Sequence, residues 1–198
     1  VMRLKTGAEV VLFDGSGAEF LARVANVGKR ETSLEVVERR PVDREMRRSI
    51  TLCTALPRGD RQKWLVEKAV EMGAARLVPL HTERAVVEPD SGTCAKLRRA
   101  VIEASKQCGR NVLMEITEPC DVSTLVAGER PGPLHCLAQP GAALSLADLA
   151  REAAAMPDVP ALFLIGPEGG FSPAEESAAL AAGWRGVALG KRILRIET

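Results

Sequence analysis

The sequence has very few aromatic residues. It contains no tyrosine, and its four phenylalanines and two tryptophans amount to 3% of 198 residues. We expect most of these six rings in the hydrophobic core, because large apolar side chains are usually buried. Few rings then remain for a binding surface built on aromatic stacking.

Cysteine usage excludes two further classes of protein. The five cysteines are odd in number, widely spaced and never arranged as a CxxC pair. This pattern favours reduced thiols in a cytoplasmic protein over a disulfide framework or a zinc site. The sequence also shows no signal peptide and no apolar run long enough to cross a membrane, so no membrane association is expected.

Charge of one sign is not in excess either. The 27 lysines and arginines oppose 26 acidic residues, which leaves a net charge of +1. Any contact with nucleic acid must therefore come from local patches. The segment RRPVDREMRRS, residues 39–49, is one such patch and carries five arginines. We interpret it as an exposed linker. The alternative is that it forms a strip that contacts nucleic acid.

The pattern of the chain changes near residue 49. Before it, GAEVVLFD, AEFLARVANV and ETSLEVVE have the character of strands joined by turns, which predicts a small β domain over residues 1–48. Over residues 49–198, apolar strand runs alternate with helical patterns. This alternation predicts an α/β domain with a parallel sheet, whose ligands bind at the carboxyl ends of the strands. We expect both ends of the sequence to be incomplete, because it opens within a pattern and stops directly after a strand.

One of the predicted strand ends carries an unusual loop. The run ALFLI is followed by GPEGGF and then by a helical pattern that starts at SPAEE. Ser172, Pro173 and Glu175 match an N-cap, a first-turn proline and a capping-box glutamate. Three glycines let a ligand lie directly against the backbone, and Glu168 favours a cationic or donor-rich ligand over a phosphate. The alternative is a tight turn without a ligand, since an isolated glycine-rich motif is weak evidence.

A second strand end, in VALGKRILRIET, supports the functional interpretation. Two loops at strand ends can flank one pocket. Together, GPEGGFSPAE and LGKRILRIET resemble the SPOUT superfamily of RNA methyltransferases, and more narrowly the family that methylates N3 of a uridine in 16S ribosomal RNA. The similarity extends over most of the chain through VMRLKTGAEVVLFDG, KWLVEKAVEMGAARLVPL, TERAVV and EASKQCGR.

The resemblance implies a fold and a cofactor. A small PUA-like β-barrel is expected to precede a SPOUT-type parallel sheet whose C-terminal segment forms a trefoil knot, a rare exception to the rule against threaded chains. The knot is expected to hold S-adenosylmethionine among three loops, and the positive charge of this cofactor matches Glu168. The implied cofactor-binding residues are Leu137, Gly166, Pro167, Glu168, Gly169, Gly170, Leu189, Gly190, Ile193, Leu194 and Arg195. No metal is implied.

The expected chemistry is attack of uracil N3 on the methyl group of the cofactor. Because N3 carries negative charge as it attacks, an arginine beside it would assist the transfer. Arg195 and Arg84 are the catalytic candidates, with Arg110 behind them. For Arg84 and Arg110 the alternative is phosphate binding or an ion pair. No residue identifies itself as a general base, and His81 is a weak candidate because a lone histidine is more often structural.

The implied partner is 16S ribosomal RNA within the small ribosomal subunit. Recognition is expected to depend on RNA shape and on phosphate contacts. The candidate RNA-binding residues are Arg3, Lys5, Arg23, Lys29, Arg30, Lys63, Lys68, Arg84 and Arg110. Knotted methyltransferases commonly form two-fold dimers, so a homodimer is expected. Two alternatives remain: a knotted methyltransferase for another RNA or base, and an RNA-binding protein that keeps the knot only as a scaffold.

Overall fold

The computed structural model describes residues 4–129, 132–192, 194 and 196 of the chain. The chain divides into two compact units. The first comprises the residues up to 45 together with residues 105–113, and the second comprises residues 46–104 and those from 114 onward. The predicted RNA contact Arg3 and the predicted cofactor residues Ile193 and Arg195 lie outside the described residues.

The first unit is built on a three-stranded antiparallel sheet. Its strands are β1 (Glu9–Phe13), β2 (Ala18–Val27) and β3 (Thr32–Pro41), in the order β1-β2-β3. Asp14 shapes the turn between β1 and β2, because it accepts hydrogen bonds from the amide and the hydroxyl of Ser16 at 2.9 and 2.6 Å. These bonds lower the pKa of Asp14. The three strands predicted for this part of the chain are thus confirmed.

Strand β3 extends into the segment that was predicted to be a linker. Arg39 is paired with Phe20 of β2, and Arg40 with Glu19. The prediction of a linker from residue 39 is therefore wrong as far as Pro41. Backbone pairing with β2 does not depend on side-chain charge, and every residue of β3 is exposed, so arginines are tolerated there.

A short segment from the middle of the chain also belongs to the first unit. The buried side-chain amide of Asn111 donates to the carbonyls of Gly17 and Val42, at 3.2 and 2.7 Å. Arg110 is buried as well and forms an ion pair with Glu45, with an Nε–Oε1 distance of 2.8 Å. Of the roles weighed for Arg110, the ion pair matches these contacts. Its burial corrects the prediction that it contacts RNA.

The second unit contains a parallel α/β sheet, as predicted. In chain order the elements from residue 46 onward are β4 (Ile50–Thr54), α1 (Arg61–Glu71), β5 (Arg76–His81), α2 (Ser91–Cys108), β6 (Glu115–Ile116), β7 (Cys120–Asp121), α3 (Val122–Gly128), β8 (His135–Ala138), β9 (Leu144–Ser145), α4 (Leu146–Ala154), β10 (Ala161–Ile165), α5 (Pro173–Ala181) and β11 (Arg185–Ala188). The strand order is β6-β5-β4-β10-β8-β11-β9, with β7 beside β5, and every pair is parallel. The two-residue strands β7 and β9 were not predicted. Among the described helices, none is both long and apolar enough to cross a membrane.

The C-terminal strands show a crossing of the kind that a knot requires. Strand β11 lies between β8 and β9, with Val187 opposite both Ala138 and Leu144. The segment that joins β8 to β9 must therefore pass across β11, and there the amide of Gln139 donates to the carbonyl of Val187 at 3.0 Å. A Cβ added to Gly186 would lie 2.6 Å from the side-chain oxygen of Gln139. Glycine at position 186 thus permits the close approach of the crossing segment.

A buried apolar cluster connects the central strands to α5. Leu137 and Leu164 are fully buried in this cluster, together with Phe171 and Trp184. Leu137 was predicted to bind the cofactor. Its side chain fills the core instead, because β8 is a central strand flanked by β10 and β11. The residues that follow β8, rather than Leu137 itself, are available to a ligand.

The aromatic residues are less buried than the sequence predicted. Phe171 and Trp184 are buried, and the other three phenylalanines are half-buried. Trp64 on α1 is 43% exposed. The expectation of a buried aromatic set therefore holds only in part.

Arg48 binds the end of α4 from the segment before β4. Its guanidinium donates to the carbonyls of Ala153, Met156 and Val159, at 2.6, 2.9 and 2.7 Å. Two of these carbonyls, those of Ala153 and Met156, also accept backbone amides in the turns at the end of the helix, so Arg48 adds a charged donor to this part of the chain. We expect Arg48→Met to lower the free energy of unfolding by about 2–4 kcal/mol, because three carbonyls lose a charged donor.

Arg47→Met is the matched control for this prediction. Arg47 forms an ion pair with Asp158 at 2.6 Å, but the two side chains are 71% and 67% exposed. Exposed ion pairs contribute about 0–1 kcal/mol, so this variant should unfold nearly like the unmodified protein. Urea unfolding of both variants measures the difference, and equal losses would contradict the role assigned to Arg48.

Candidate cofactor-binding site

The glycine loop GPEGGF lies between β10 and α5 and is closed by contacts within itself. The amide of Gly170 donates to the carbonyl of Pro167 at 2.8 Å. Gly170 has a φ of +69°, in the left-handed region that favours glycine. A Cβ at Gly166 would lie 3.0 Å from the ring of Phe171. Two of the three glycines are therefore required by the shape of the loop itself.

Helix α5 begins directly after this loop with the predicted cap. The hydroxyl of Ser172 accepts from the amide of Glu175 at 3.3 Å, and the Glu175 carboxylate accepts from the amide of Ser172 at 2.7 Å. Pro173 occupies the first turn. The same carboxylate also accepts from the amide of Glu83 at 2.9 Å. Glu175 thus fixes the start of the helix and ties the segment after β5 to it.

Arg84 contacts the glycine loop through backbone carbonyls. Its Nη1 donates to the carbonyls of Gly169 and Phe171, at 3.0 and 3.2 Å. This use of the guanidinium was not among the roles predicted for Arg84. It orients the backbone of the loop from the segment that follows β5.

Glu168 is paired with an arginine that the sequence did not single out. The Nη1 of Arg61, the first residue of α1, lies 3.9 Å from Oε1 of Glu168. This ion pair could have been predicted only from the order of the strands in the sheet. Strands β4 and β10 are neighbours, with Thr54 opposite Ile165, so the segments that follow them leave the sheet side by side.

Two of the predicted cofactor loops line a common cavity of about 450 Å³. The cavity combines the segment that follows β8 with the segment that follows β11. Its lining residues are Pro140, Gly141, Ala142, Ser145, Ala188, Gly190, Lys191 and Arg192. Leu189 and Leu194 are exposed in the same part of the chain. A cavity of this size falls within the range that small-molecule and cofactor sites occupy.

The two histidines have different surroundings. Nδ1 of His81 lies 2.8 Å from the carboxylate of Glu88. His135 is buried against Trp184, with ring centroids 5.1 Å apart, and its Nδ1 has no hydrogen-bond partner among the described residues. Burial lowers the pKa of His135 below its ordinary value of 6.5. His135 is thus part of the core.

The lowered pKa of His135 predicts a pH dependence of stability. The unfolded chain binds the proton more readily than the folded chain does, so the neutral histidine stabilises the fold above pH 6.5. This stability is lost as the pH falls through 6.5 toward the lower pKa of the folded state. Between about pH 7.5 and about pH 5.5, the unmodified protein should lose more unfolding free energy than His135→Phe. Equal losses in urea unfolding at the two pH values would contradict this assignment.

The predicted RNA-binding residues lie in both units. Those that are exposed in the first unit are Lys5, Arg23, Lys29 and Arg30. Lys63 and Lys68 lie on α1 in the second unit and pair with glutamates of the same helix, at 3.6 and 2.5 Å. Ion pairs between exposed side chains are weak, so these lysines can exchange their partners for phosphate.

The fold and the glycine loop define an RNA methyltransferase. A family model described as an RNA methyltransferase domain matches residues 44–198, and one described as an RNA methyltransferase PUA domain matches residues 1–37; the chain belongs to this family. Individual proteins to which the chain is similar indicate the class of RNA more specifically. A Synechocystis protein named "Ribosomal RNA small subunit methyltransferase E" is 30% identical over the whole chain, which spans 65% of that relative's length.

Two solved structures share the fold over nearly the whole chain. The Ribosomal RNA small subunit methyltransferase E from Neisseria gonorrhoeae, bound to S-adenosyl methionine, is 30% identical and has a TM-score of 0.89. A protein from Legionella pneumophila, solved with bound SAM, is 32% identical and has a TM-score of 0.88. In each case 98% of this chain and 80% of the other chain are covered. The predicted family and the α/β SPOUT-type fold with an N-terminal PUA-like domain are therefore confirmed.

Proposed function

We propose that this protein transfers a methyl group from S-adenosylmethionine to N3 of a uridine in 16S ribosomal RNA of the small ribosomal subunit. The observation that carries the proposal is the bare glycine loop at the carboxyl end of β10, in the same sheet edge as the loops that follow β8 and β11. Relatives that are named as small-subunit methyltransferases support the class of RNA. The N3 position rests on the resemblance of GPEGG and LGKRILRIET to the family motifs.

The residues present fit this cofactor. S-adenosylmethionine supplies a methyl carbon bound to a positively charged sulfur, together with an adenine that needs backbone donors and acceptors. The half-exposed carboxylate of Glu168 offers a partner for positive charge, and Gly170 leaves the backbone open, because nothing lies within 4 Å of a Cβ added there. The cavity lined by Ala188 and Gly190 is large enough for part of such a molecule.

The residues of the chain contribute position and electrostatics to the transfer. Arg84 and Glu175 hold the loop and the start of α5 in place. An arginine beside the target base stabilises the negative charge that develops as N3 loses its proton, and Arg195 is the first candidate for this role, with Arg84 as the second. In folded RNA the target base must leave its stack before it reaches the site.

Further parts of the proposal concern partners and organisation. The β domain over residues 1–48 contacts RNA phosphates through its exposed lysines and arginines, and residues 49–198 carry the chemistry.

Two copies form a homodimer, which is supported by exposed apolar side chains on and beside α1 and α5, including Met72 and Leu180. Sedimentation at micromolar concentration tests the dimer. The protein acts in the cytoplasm, where its five free cysteines stay reduced.

The experiment that tests the function compares ribosomal RNA from cells with and without the protein. Mass spectrometry of the nuclease-digested small-subunit RNA should show one methyluridine lost in the deletion strain. Loss of a different modified nucleoside would favour the alternative of another base. Calorimetry with S-adenosylmethionine tests the remaining alternative, since a protein that keeps the fold only as an RNA-binding scaffold would not bind the cofactor.

A further inference from the structure

We propose that a cavity between α1 and α2, the basic cavity, binds the phosphate backbone of the RNA substrate through Lys63, Lys96 and Arg99. This inference rests on the proposed function, because it takes ribosomal RNA as the partner. It places a second phosphate-binding surface in the unit that contains the parallel sheet. Lys63 was predicted from the sequence to contact RNA, whereas Lys96 and Arg99 were not singled out for any role.

The lining of the basic cavity is the first argument. The cavity has a volume of about 350 Å³ and lies between the start of α1 and the middle of α2. Buried Leu97 and half-buried Ala100 contribute apolar surface, and the three cationic side chains are exposed. Lys96 and Arg99 are three residues apart on α2, so they lie on one face of the helix. Cations that converge from two helices on one cavity match the closely spaced charges of a polynucleotide backbone.

The lack of protein partners for two of these cations is the second argument. Arg98, the neighbour of Arg99, donates to the carbonyl of Ile116 and forms an ion pair with Glu118 at 2.7 Å. Within the described part of the chain, no hydrogen bond or ion pair involves the side chain of Lys96 or Arg99. An exposed cation without a protein partner can bind a phosphate without giving up an existing contact.

The carboxylates near the basic cavity set the expected strength of binding. Asp60 and Glu103 also line the cavity, so three cations face two carboxylates there. Lys63 lies 3.6 Å from Glu67 in a pair of exposed side chains, which is a weak interaction. We therefore expect the cavity to contribute part of the RNA affinity, in a form that salt screens strongly.

The position of the basic cavity is the third argument. The amide of Ala55, which follows β4, donates to the carbonyl of Ile165 at 3.2 Å. Ile165 ends β10 and directly precedes the glycine loop. Residues 55–60 lead from this point to the start of α1. One wall of the basic cavity thus begins at the same edge of the sheet as the proposed cofactor site, where a strand whose target base enters that site must pass.

The decisive measurement is the affinity for purified small ribosomal subunits as a function of salt concentration. S-adenosylhomocysteine, which has no methyl group to transfer, is present so that no turnover occurs. The double variant Lys96→Gln and Arg99→Gln keeps good helix formers at both positions. We expect it to bind about tenfold more weakly at low salt, and its salt slope to be smaller by about two. An unchanged affinity and salt slope would overturn the proposal.

Arg76→Gln is the matched control for loss of positive charge. Arg76 is the first residue of β5, at the opposite end of that strand from the carboxyl edge of the sheet, and its exposed side chain pairs with Glu115 at 2.9 Å. This variant should bind small subunits like the unmodified protein. A loss equal to half that of the double variant would mean that net charge alone determines the affinity, and this result would also overturn the proposal.

Asp60→Asn tests the same cavity with the opposite sign. Asp60 lines the cavity and makes no side-chain cap hydrogen bond, and asparagine is an equally good residue at the start of a helix. Removing this carboxylate should strengthen binding about twofold, because it removes repulsion of the phosphates. Loss of structure would not strengthen binding, so weaker or unchanged binding in Asp60→Asn would contradict the role of the cavity.

Calorimetry with inorganic phosphate separates a backbone site from a site for a small anion. Phosphate binding that the double variant abolishes, with an unchanged affinity for small subunits, would identify a small-anion site and overturn the proposal. The proposed function fails separately from this inference. An unmodified protein that neither binds nor methylates small subunits contradicts the function, whereas an active protein whose RNA affinity is indifferent to Lys96 and Arg99 contradicts only the inference.

Discussion

Gly169→Val should reduce the affinity for S-adenosylmethionine at least about a hundredfold, which corresponds to about 2.7 kcal/mol. A Cβ at this position would lie 3.4 Å from Cβ and 3.7 Å from Cδ of Arg84. The two further methyl groups of valine must displace Arg84 from the loop carbonyls or occupy the space of the ligand. Either outcome changes the glycine loop, which the proposed cofactor site includes.

Two companion variants show which effect dominates. Arg84→Ala removes the contacts with the Gly169 and Phe171 carbonyls without adding bulk, so it should weaken binding less than the valine does. Gly128→Val is the control, because nothing lies within 4 Å of a Cβ added there. Calorimetry measures the affinity, and circular dichroism confirms that each variant is folded. Unchanged affinity in folded Gly169→Val would remove the glycine loop from the cofactor site.

Arg195→Ala should lower the saturated single-turnover rate by about a hundredfold to a thousandfold, or about 3–4 kcal/mol of transition-state stabilisation. The reason is the negative charge that the uracil acquires only as the methyl group transfers. An arginine that contacts a phosphate behaves in the opposite way, since its loss weakens RNA binding and leaves the saturated rate intact. The rate should therefore fall much further than the affinity.

Variants in the first unit supply the contrast. Arg23→Ala and Lys29→Ala remove exposed cations from the antiparallel sheet and its β2–β3 turn. They should weaken RNA binding and flatten its salt dependence without changing the saturated rate. Purified small subunits are the appropriate substrate. A normal saturated rate in Arg195→Ala, with only its RNA affinity reduced, would make Arg195 a binding residue.

Local sequence patterns were sufficient to predict the helices and strands that surround the site. The capping box of Ser172 and Glu175 identified the start of α5, because those contacts involve residues three apart. The alternation of strands and helices identified the parallel sheet, because the hydrophobic periodicity of each segment distinguishes a strand from a helix. The two paired motifs identified the family, which the comparisons confirm.

Long-range contacts explain what the sequence did not reveal. The pairing of Arg61 with Glu168 depends on β4 and β10 being neighbours, which no local pattern encodes. The same holds for residues 105–113, which belong to the first unit although they lie within the α/β pattern of residues 49–198. Leu137 was assigned to the cofactor by resemblance to the family, but its burial depends on the strands on both sides of β8.

The most direct test of the proposed function is to incubate the purified protein with small ribosomal subunits and isotopically labelled S-adenosylmethionine. Nuclease digestion and mass spectrometry then identify the labelled nucleoside and its place in the RNA. We predict a single labelled product, a uridine methylated on N3 of the base. Label on a ribose hydroxyl or on another base, or RNA without label, would contradict the function proposed for this protein.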